Sequence, residues 1–278
     1  RYMARFSSLT YGNCDNVSAV SLEQQCEAIG TLRREFPTKL IGGSTGGSLT
    51  GKKDTDKASW AKHTQMLEDA GAQIVEYSLS CPQGGEGSED NAIASQSAAI
   101  SAEIVEWVLS SCTRPSVPKL FKLTAAVTSV PAIVNAVKEV FLRYPHCAAG
   151  ITLANSFPAL DSLPSSYYHT TTNRDQQYWQ RSRVVGMSGE GVLPITRLAI
   201  SSVRNLGVSI SANGGIMTAQ DAADLLAMGC GFVQICTAAS LFGISYISHL
   251  RSSLSYILHR NGVSSVAEVI GKAPPLEN

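Results

Sequence analysis

A chain of 278 residues, 44% hydrophobic and 16% charged, can bury a sizeable core as one large domain or two ordinary ones. Its 22 basic and 22 acidic residues cancel. There is thus no basic stripe for a nucleic-acid backbone, and no apolar run reaches the length needed to span a bilayer.

Seven cysteines (14, 26, 81, 112, 147, 230, 236) form no C-x-x-C pair, and five histidines (63, 146, 169, 249, 259) show no H-x-x-x-H spacing. That scatter speaks for reduced thiols in a cytoplasmic compartment and against a disulfide framework, a zinc site or another metal site. The chain opens on Arg1 without a signal-peptide pattern, so the expectation is that a preceding piece lies upstream.

In chain order, a helical period over 21–36 opens with Ser21 as N-cap. The run KLIGGST (39–45) reads as a strand and ASWAKHTQMLEDAG (58–71) as a helix closed by glycine. IVEYSLS (74–80), KLFKLTA (119–125) and AAGITLANS (148–156) read as further strands, separated by helices over 97–112 and 130–144. The segment 157–185 reads as a long insertion or lid loop without periodicity, carrying Tyr167, Tyr168, His169, Tyr178 and Trp179. A helix over 193–207 follows, then the strand VSISANGG (208–215). Next come a helix over 218–229 capped by Thr218 and Gly229, and the strand FVQICTA (232–238). A helical region over 243–278 ends the chain.

Strands alternating with helices imply a parallel sheet, and runs without polar alternation imply cover on both faces. A doubly wound sheet and a (β/α)8 TIM barrel both fit. No G-x-G-x-x-G opens a strand–helix unit, and polar or glycine residues collect at the C-terminal strand ends, where a barrel carries its site. The expectation is a single α/β domain over 1–278, a TIM barrel whose first two β/α units are absent from this chain.

Gly214-Gly215 follows the seventh expected strand and Thr237 the eighth. Bare backbone N–H groups there suit a phosphate, with Gly186-Met187-Ser188-Gly189 as a third wall. A tight strand–helix turn would also account for the two glycines.

The ordered motifs SLSCP (78–82), FKLT (121–124), ANS (154–156), MSG (187–189), ANGGIMTAQDA (212–222) and VQICTA (233–238) resemble the FMN-binding barrel of the dihydropyrimidine dehydrogenase and dihydroorotate dehydrogenase family, over about residues 21–241. The resemblance implies an FMN-dependent oxidoreductase acting on CH–CH bonds, moving a hydride between flavin and a conjugated carbonyl or heterocycle. It places Lys122 beside the flavin N1 side. It places Asn155, Ser156 and Ser78 at the substrate. It places Ser188, Gly189, Gly214, Gly215, Cys236 and Thr237 along the flavin phosphate and ribityl chain.

The chain departs from the family pattern where Ser78 replaces an asparagine, Ala126 replaces another, and GGSTGGS (42–48) lacks an amide. The acid–base slot, placed on the loop after the 74–80 strand, falls on Ala94, leaving Ser95 as catalytic candidate. Cys81 reads as structural. The expected partners are a small-molecule substrate, an electron-transfer chain or missing segment, and further copies in an oligomer, with no nucleic acid and no membrane span. Two other readings remain. One is a catalytically degenerate barrel serving as a structural or interaction subunit of a redox complex. The other is a phosphate-binding isomerase or synthase barrel without flavin.

Overall fold

The computed structural model describes residues 3–5, 7–13, 20–81, 93–161 and 183–274. Its strands are β1 Met3–Arg5, β2 Thr10–Asn13, β3 Gly43–Thr45, β4 Val75–Ser78, β5 Lys119–Lys122, β6 Ala149–Leu153, β7 Phe157–Asp161, β8 Arg183–Gly189, β9 Ile210–Asn213 and β10 Phe232–Gln234. Helix Leu22–Glu35 precedes the parallel strands, and helices Lys53–Asp69, Ala98–Ser111, Val130–Arg143, Leu193–Val203 and Ala219–Ala227 lie between them in the chain. The expected starts at Ser21 and Thr218 hold, each with a full capping box: Ser21 with Gln24 and Thr218 with Asp221. The helix read over 58–71 begins earlier, at Lys53; the helix expected within 243–278 is Ser245–Arg260, and a short helix Thr237–Phe242, which was not expected, begins inside the run read as the strand 232–238.

The six expected strands form one parallel sheet in the order β10-β9-β6-β5-β4-β3. In a flat sheet β10 and β4 would lie about 19 Å apart, four spacings of about 4.8 Å. Yet Gln234 of β10 donates to Glu76 of β4 at 2.7 Å. The sheet is therefore rolled into a barrel, with β3 and β10 as its edges among the described residues. Tyr77, Phe121 and Ile151 sit side by side in register and face the helices. Tyr77 stacks on Phe121 at 5.3 Å, flanked by Trp60 and Phe141 from two helices. The opposite face carries Glu76, Lys122, Thr152, Ser211 and Gln234, so the barrel interior is polar at this level.

At the N-terminal end of β5, Lys119 Nζ lies 2.6 Å from Glu68 Oε1, both side chains fully buried. Lys119 also donates to the carbonyls of Arg114 and Val117. The other Glu68 oxygen accepts from the Thr113 amide and hydroxyl and from the Arg114 amide. One ion pair thereby ties helix Lys53–Asp69 to the turn entering β5.

Glycine-rich residues 46–51, after β3, are shaped by the same helix. Gly47 lies against the Trp60 indole so closely that a Cβ would come within 2.5 Å of the ring. Buried Asp56 accepts from the Thr50 amide and hydroxyl and from the Gly51 amide. Asp56→Ala leaves those amides unpaired and is expected to lower stability by about 1–3 kcal/mol. A urea titration followed by circular dichroism checks this; an unchanged midpoint would refute it.

Sequence periodicity misses a second sheet, antiparallel, in the order β1-β2-β8-β7. The segment expected as a plain loop over 157–185 supplies β7 and the start of β8, paired from Phe157 with Met187 to Asp161 with Arg183. Tyr167, Tyr168, His169, Tyr178 and Trp179 lie outside the described residues. Strand β2 pairs with β8 across a separation no local pattern reveals, Thr10 opposite Gly189 and Asn13 opposite Gly186. Among the described residues no helix is long and apolar enough to cross a membrane, and no cluster of potential metal ligands occurs.

Candidate active site

A cleft of about 710 Å3, counting its open mouth, lies over the C-terminal ends of the parallel strands. Lys122, Asn155 with Ser156, Asn213 to Ile216, and Gln234 with Cys236 and Thr237 come from or follow β5, β6, β9 and β10. Ser188 and Gly189 enter from β8, Asn13 from β2, and Cys81 from just beyond β4. Residues as far apart in sequence as Asn13 and Thr237 thus meet, most of them because the parallel strands that carry them end at the same rim.

One end of the cleft is backbone. Gly214 and Gly215 have φ of +111° and +83°. A Cβ on Gly214 would meet Thr196 Oγ1 at 2.7 Å, and one on Gly215 would meet the Leu193 amide nitrogen at 2.4 Å. The glycines are therefore required by close packing on helix Leu193–Val203 as well as by their backbone angles. What marks the place for an anion is different: the N–H groups of Gly214, Gly215 and Thr237 have no acceptor among the described residues. Gly189, φ +87°, turns β8 beneath Leu9, whose carbonyl leaves no room for a Cβ there. The Ser188 hydroxyl donates to the Tyr11 carbonyl at 3.4 Å.

The other end is polar side chain. Lys122 Nζ stands 3.6 Å from Glu76 Oε1, with the two side chains 18% and 14% exposed. The Asn155 amide donates to the Ser80 carbonyl at 3.1 Å and approaches Cys81 Sγ at 3.7 Å. The Ser78 hydroxyl donates to the same sulfur at 3.2 Å. Asn155 and Ser78 thus both hold Cys81 at the cleft wall.

Lys122, Asn155, Ser156, Ser188, Gly189, Gly214, Gly215, Cys236 and Thr237, singled out from sequence, all line this one cleft. Ser78 stands behind Cys81 and acts on the cleft through it. Ser95 does not line it: fully buried, its hydroxyl accepts from the Thr124 amide at 3.1 Å and its own amide donates to the Leu79 carbonyl. Its place ties the turn before helix Ala98–Ser111 to the end of β5. Ala94 beside it is buried too. The thiol at the wall is Cys81, which the sequence reading set aside as structural. Residues 82–92, where a mobile loop was expected, lie outside the described residues. Sequence reasoning also missed Asn13, Asn213, Glu76 and Gln234.

A ligand with a phosphate at one end suits these features. Unpaired amides at one end suit a phosphate, and a cation stands at the other.

A rolled parallel sheet with a cleft at its C-terminal rim defines a barrel of the TIM class. A family model for dihydroorotate dehydrogenase matches residues 44–258. The chain belongs to the dihydroorotate dehydrogenase family. It is 26% identical over 273 residues to the NAD-dependent dihydropyrimidine dehydrogenase subunit PreA of Escherichia coli, an alignment covering 95% of this chain and 60% of that protein. It is 23% identical over 280 residues to the chloroplastic dihydropyrimidine dehydrogenase (NADP(+)) of Arabidopsis thaliana, covering 96% of this chain and 60% of that one. Over 93 residues it is 37% identical to the catalytic subunit of dihydroorotate dehydrogenase B (NAD(+)) of Thermococcus kodakarensis, covering 33% and 31% of the two. The chain spans about 60% of the length of the dihydropyrimidine dehydrogenase relatives. In fold it is similar to the dihydroorotate dehydrogenase of Eimeria tenella solved with ferulenol, with a TM-score of 0.68, 16% identity, and 94% of this chain and 71% of that one covered.

Proposed function

We propose that this chain is an FMN-binding oxidoreductase domain that oxidises or reduces a CH–CH bond beside a carbonyl or within a heterocycle. The single observation that carries this reading is one cleft holding unpaired backbone amides at one end and Lys122, Asn155 and Cys81 at the other. The amides of Gly214, Gly215 and Thr237 would hold the phosphate, and Lys122 would face the pyrimidine edge of the ring system. Bound FMN would supply the centre that gives or takes the hydride. Cys81 Sγ would carry the proton for the neighbouring carbon, oriented by Ser78 and Asn155. The chain has serine and alanine at 78 and 126, and the 42–48 segment lacks an amide, so the substrate differs from a standard pyrimidine. Two further β/α units between β3 and β10 would close the barrel, and an electron-transfer chain or segment would supply or remove electrons.

Iodoacetamide labelling with and without FMN tests the cleft. Burial pushes the Cys147 thiol, hydrogen-bonded to Cys112, and the Cys230 thiol up to about 12, so both should resist labelling at pH 8. Among the described cysteines, exposed Cys236 should react first and be protected by FMN, with a flavin spectrum retained by the washed protein. No retained flavin and no protection would sink the reading; protection by inorganic phosphate alone would favour a flavin-free phosphate barrel. A bound flavin that no donor bleaches would favour a scaffold.

A further inference from the structure

The polar interior below the cleft contains a carboxylate for which the reading above has no use. Glu76 lies on β4, facing inward, in a strand whose outward residues Val75 and Tyr77 are fully buried. Its Oε2 accepts from Thr152 Oγ1 of β6 at 2.8 Å and from Gln234 Nε2 of β10 at 2.7 Å. The same Gln234 amide reaches Ser211 Oγ of β9 at 3.0 Å. Its Oε1 faces Lys122 Nζ of β5 at 3.6 Å. Five strands thus fix one carboxylate, and that carboxylate is the acid paired with Lys122 among the described residues.

Resting on the FMN reading, we propose that Glu76 is the positioning residue for Lys122, setting both where the ammonium stands and how much positive charge the cleft presents. With each side chain less than one-fifth exposed, the pair is weakly screened by water. A free Lys122 would favour an electron-rich ring strongly; beside Glu76 much of its field is offset. The carboxylate also draws the flexible ammonium toward the barrel axis, where Thr152 and Gln234 prevent the acid from following it outward. The charge felt by a bound flavin is thereby set by a residue that does not touch it.

Glu76→Gln keeps the volume and removes the charge. In protein loaded with FMN, an anaerobic titration against a reference dye reads the effect directly. Glu76→Gln is expected to shift the ratio of affinities for the two redox states of FMN about tenfold toward the electron-rich state, a rise of about 30 mV for a two-electron couple. Lys122→Met should shift it the other way, and Glu76→Gln with Lys122→Met should follow Lys122→Met alone. An unchanged potential in Glu76→Gln, or the same rise in the double variant, overturns the proposal. The same four proteins without flavin give a thermal unfolding cycle. If the pair is formed, the double variant loses less melting temperature than the two single losses combined; additive losses overturn the pairing itself. A wild-type chain that retains no FMN would show the FMN reading to be wrong, while the flavin-free cycle still decides whether Glu76 holds Lys122.

Discussion

Lys119→Met is expected to lower the unfolding free energy by about 3–5 kcal/mol, because it leaves the buried Glu68 carboxylate without its counter-charge. The size follows from position: both side chains are fully buried, and the pair joins helix Lys53–Asp69 to the sheet where β5 begins. Removing both charges, as Glu68→Leu with Lys119→Met, should recover part of the loss. It should not recover all of it, since the Thr113 and Arg114 amides would lose their acceptor. Acidity gives a second handle. Burial pushes the Glu68 carboxyl upward, but the Lys119 ammonium and the Thr113 donors outweigh it, so the group sits below its ordinary value. A carboxylate with a depressed folded value contributes stability above its unfolded value and loses that contribution as pH falls through the folded one. In Lys119→Met burial prevails, the carboxyl is raised, and the stability gap from wild type should narrow as pH falls. Urea titrations of the two proteins at several acidic pH values measure this; a gap that widens on acidification contradicts it.

Cys81→Ala is expected to slow turnover by about 10²–10⁴-fold with FMN still bound, the usual span for losing a positioned proton-transfer group. Ser95→Ala makes the opposite prediction. Ser95 gives the Thr124 amide its acceptor, so its removal should lower stability while leaving turnover within a few-fold at a temperature where the protein is folded. Steady-state rates beside thermal midpoints for the two variants separate the roles. A Ser95→Ala protein that is stable and slow, with Cys81→Ala active, would return the acid–base role to the serine.

The barrel strands were legible because each is a short apolar run between helical periods, and their rim because its glycines and hydroxyls fall at strand ends. Ser21 and Thr218 announced their helices through side chains that bond to residues three positions on, a purely local relation. The β2–β8 pairing had no such signal: Thr10 and Gly189 meet only after the barrel has formed. Glu76 and Gln234 escaped for the same reason, since only the curl of the sheet joins them. A clue was present nonetheless, for a lone glutamate inside IVEYSLS is out of place in a strand covered on both faces. The placing of Cys81 at the cleft wall was not legible, because only the folded chain brings Ser78 and Asn155 together on its sulfur.

The pairing of β2 with β8 makes the chain's opening residues intolerant of clipping. The Leu9 carbonyl receives the Glu190 amide, Thr10 Oγ1 receives the Gly191 amide, and the Asn13 side chain donates to Gly186. A protease that trims this leading stretch would spare the barrel wall yet unroof the cleft, because Ser188 and Gly189 would lose the neighbour strand that aims them. A shortened chain would therefore fold, stay monodisperse and still fail to take up the FMN proposed above.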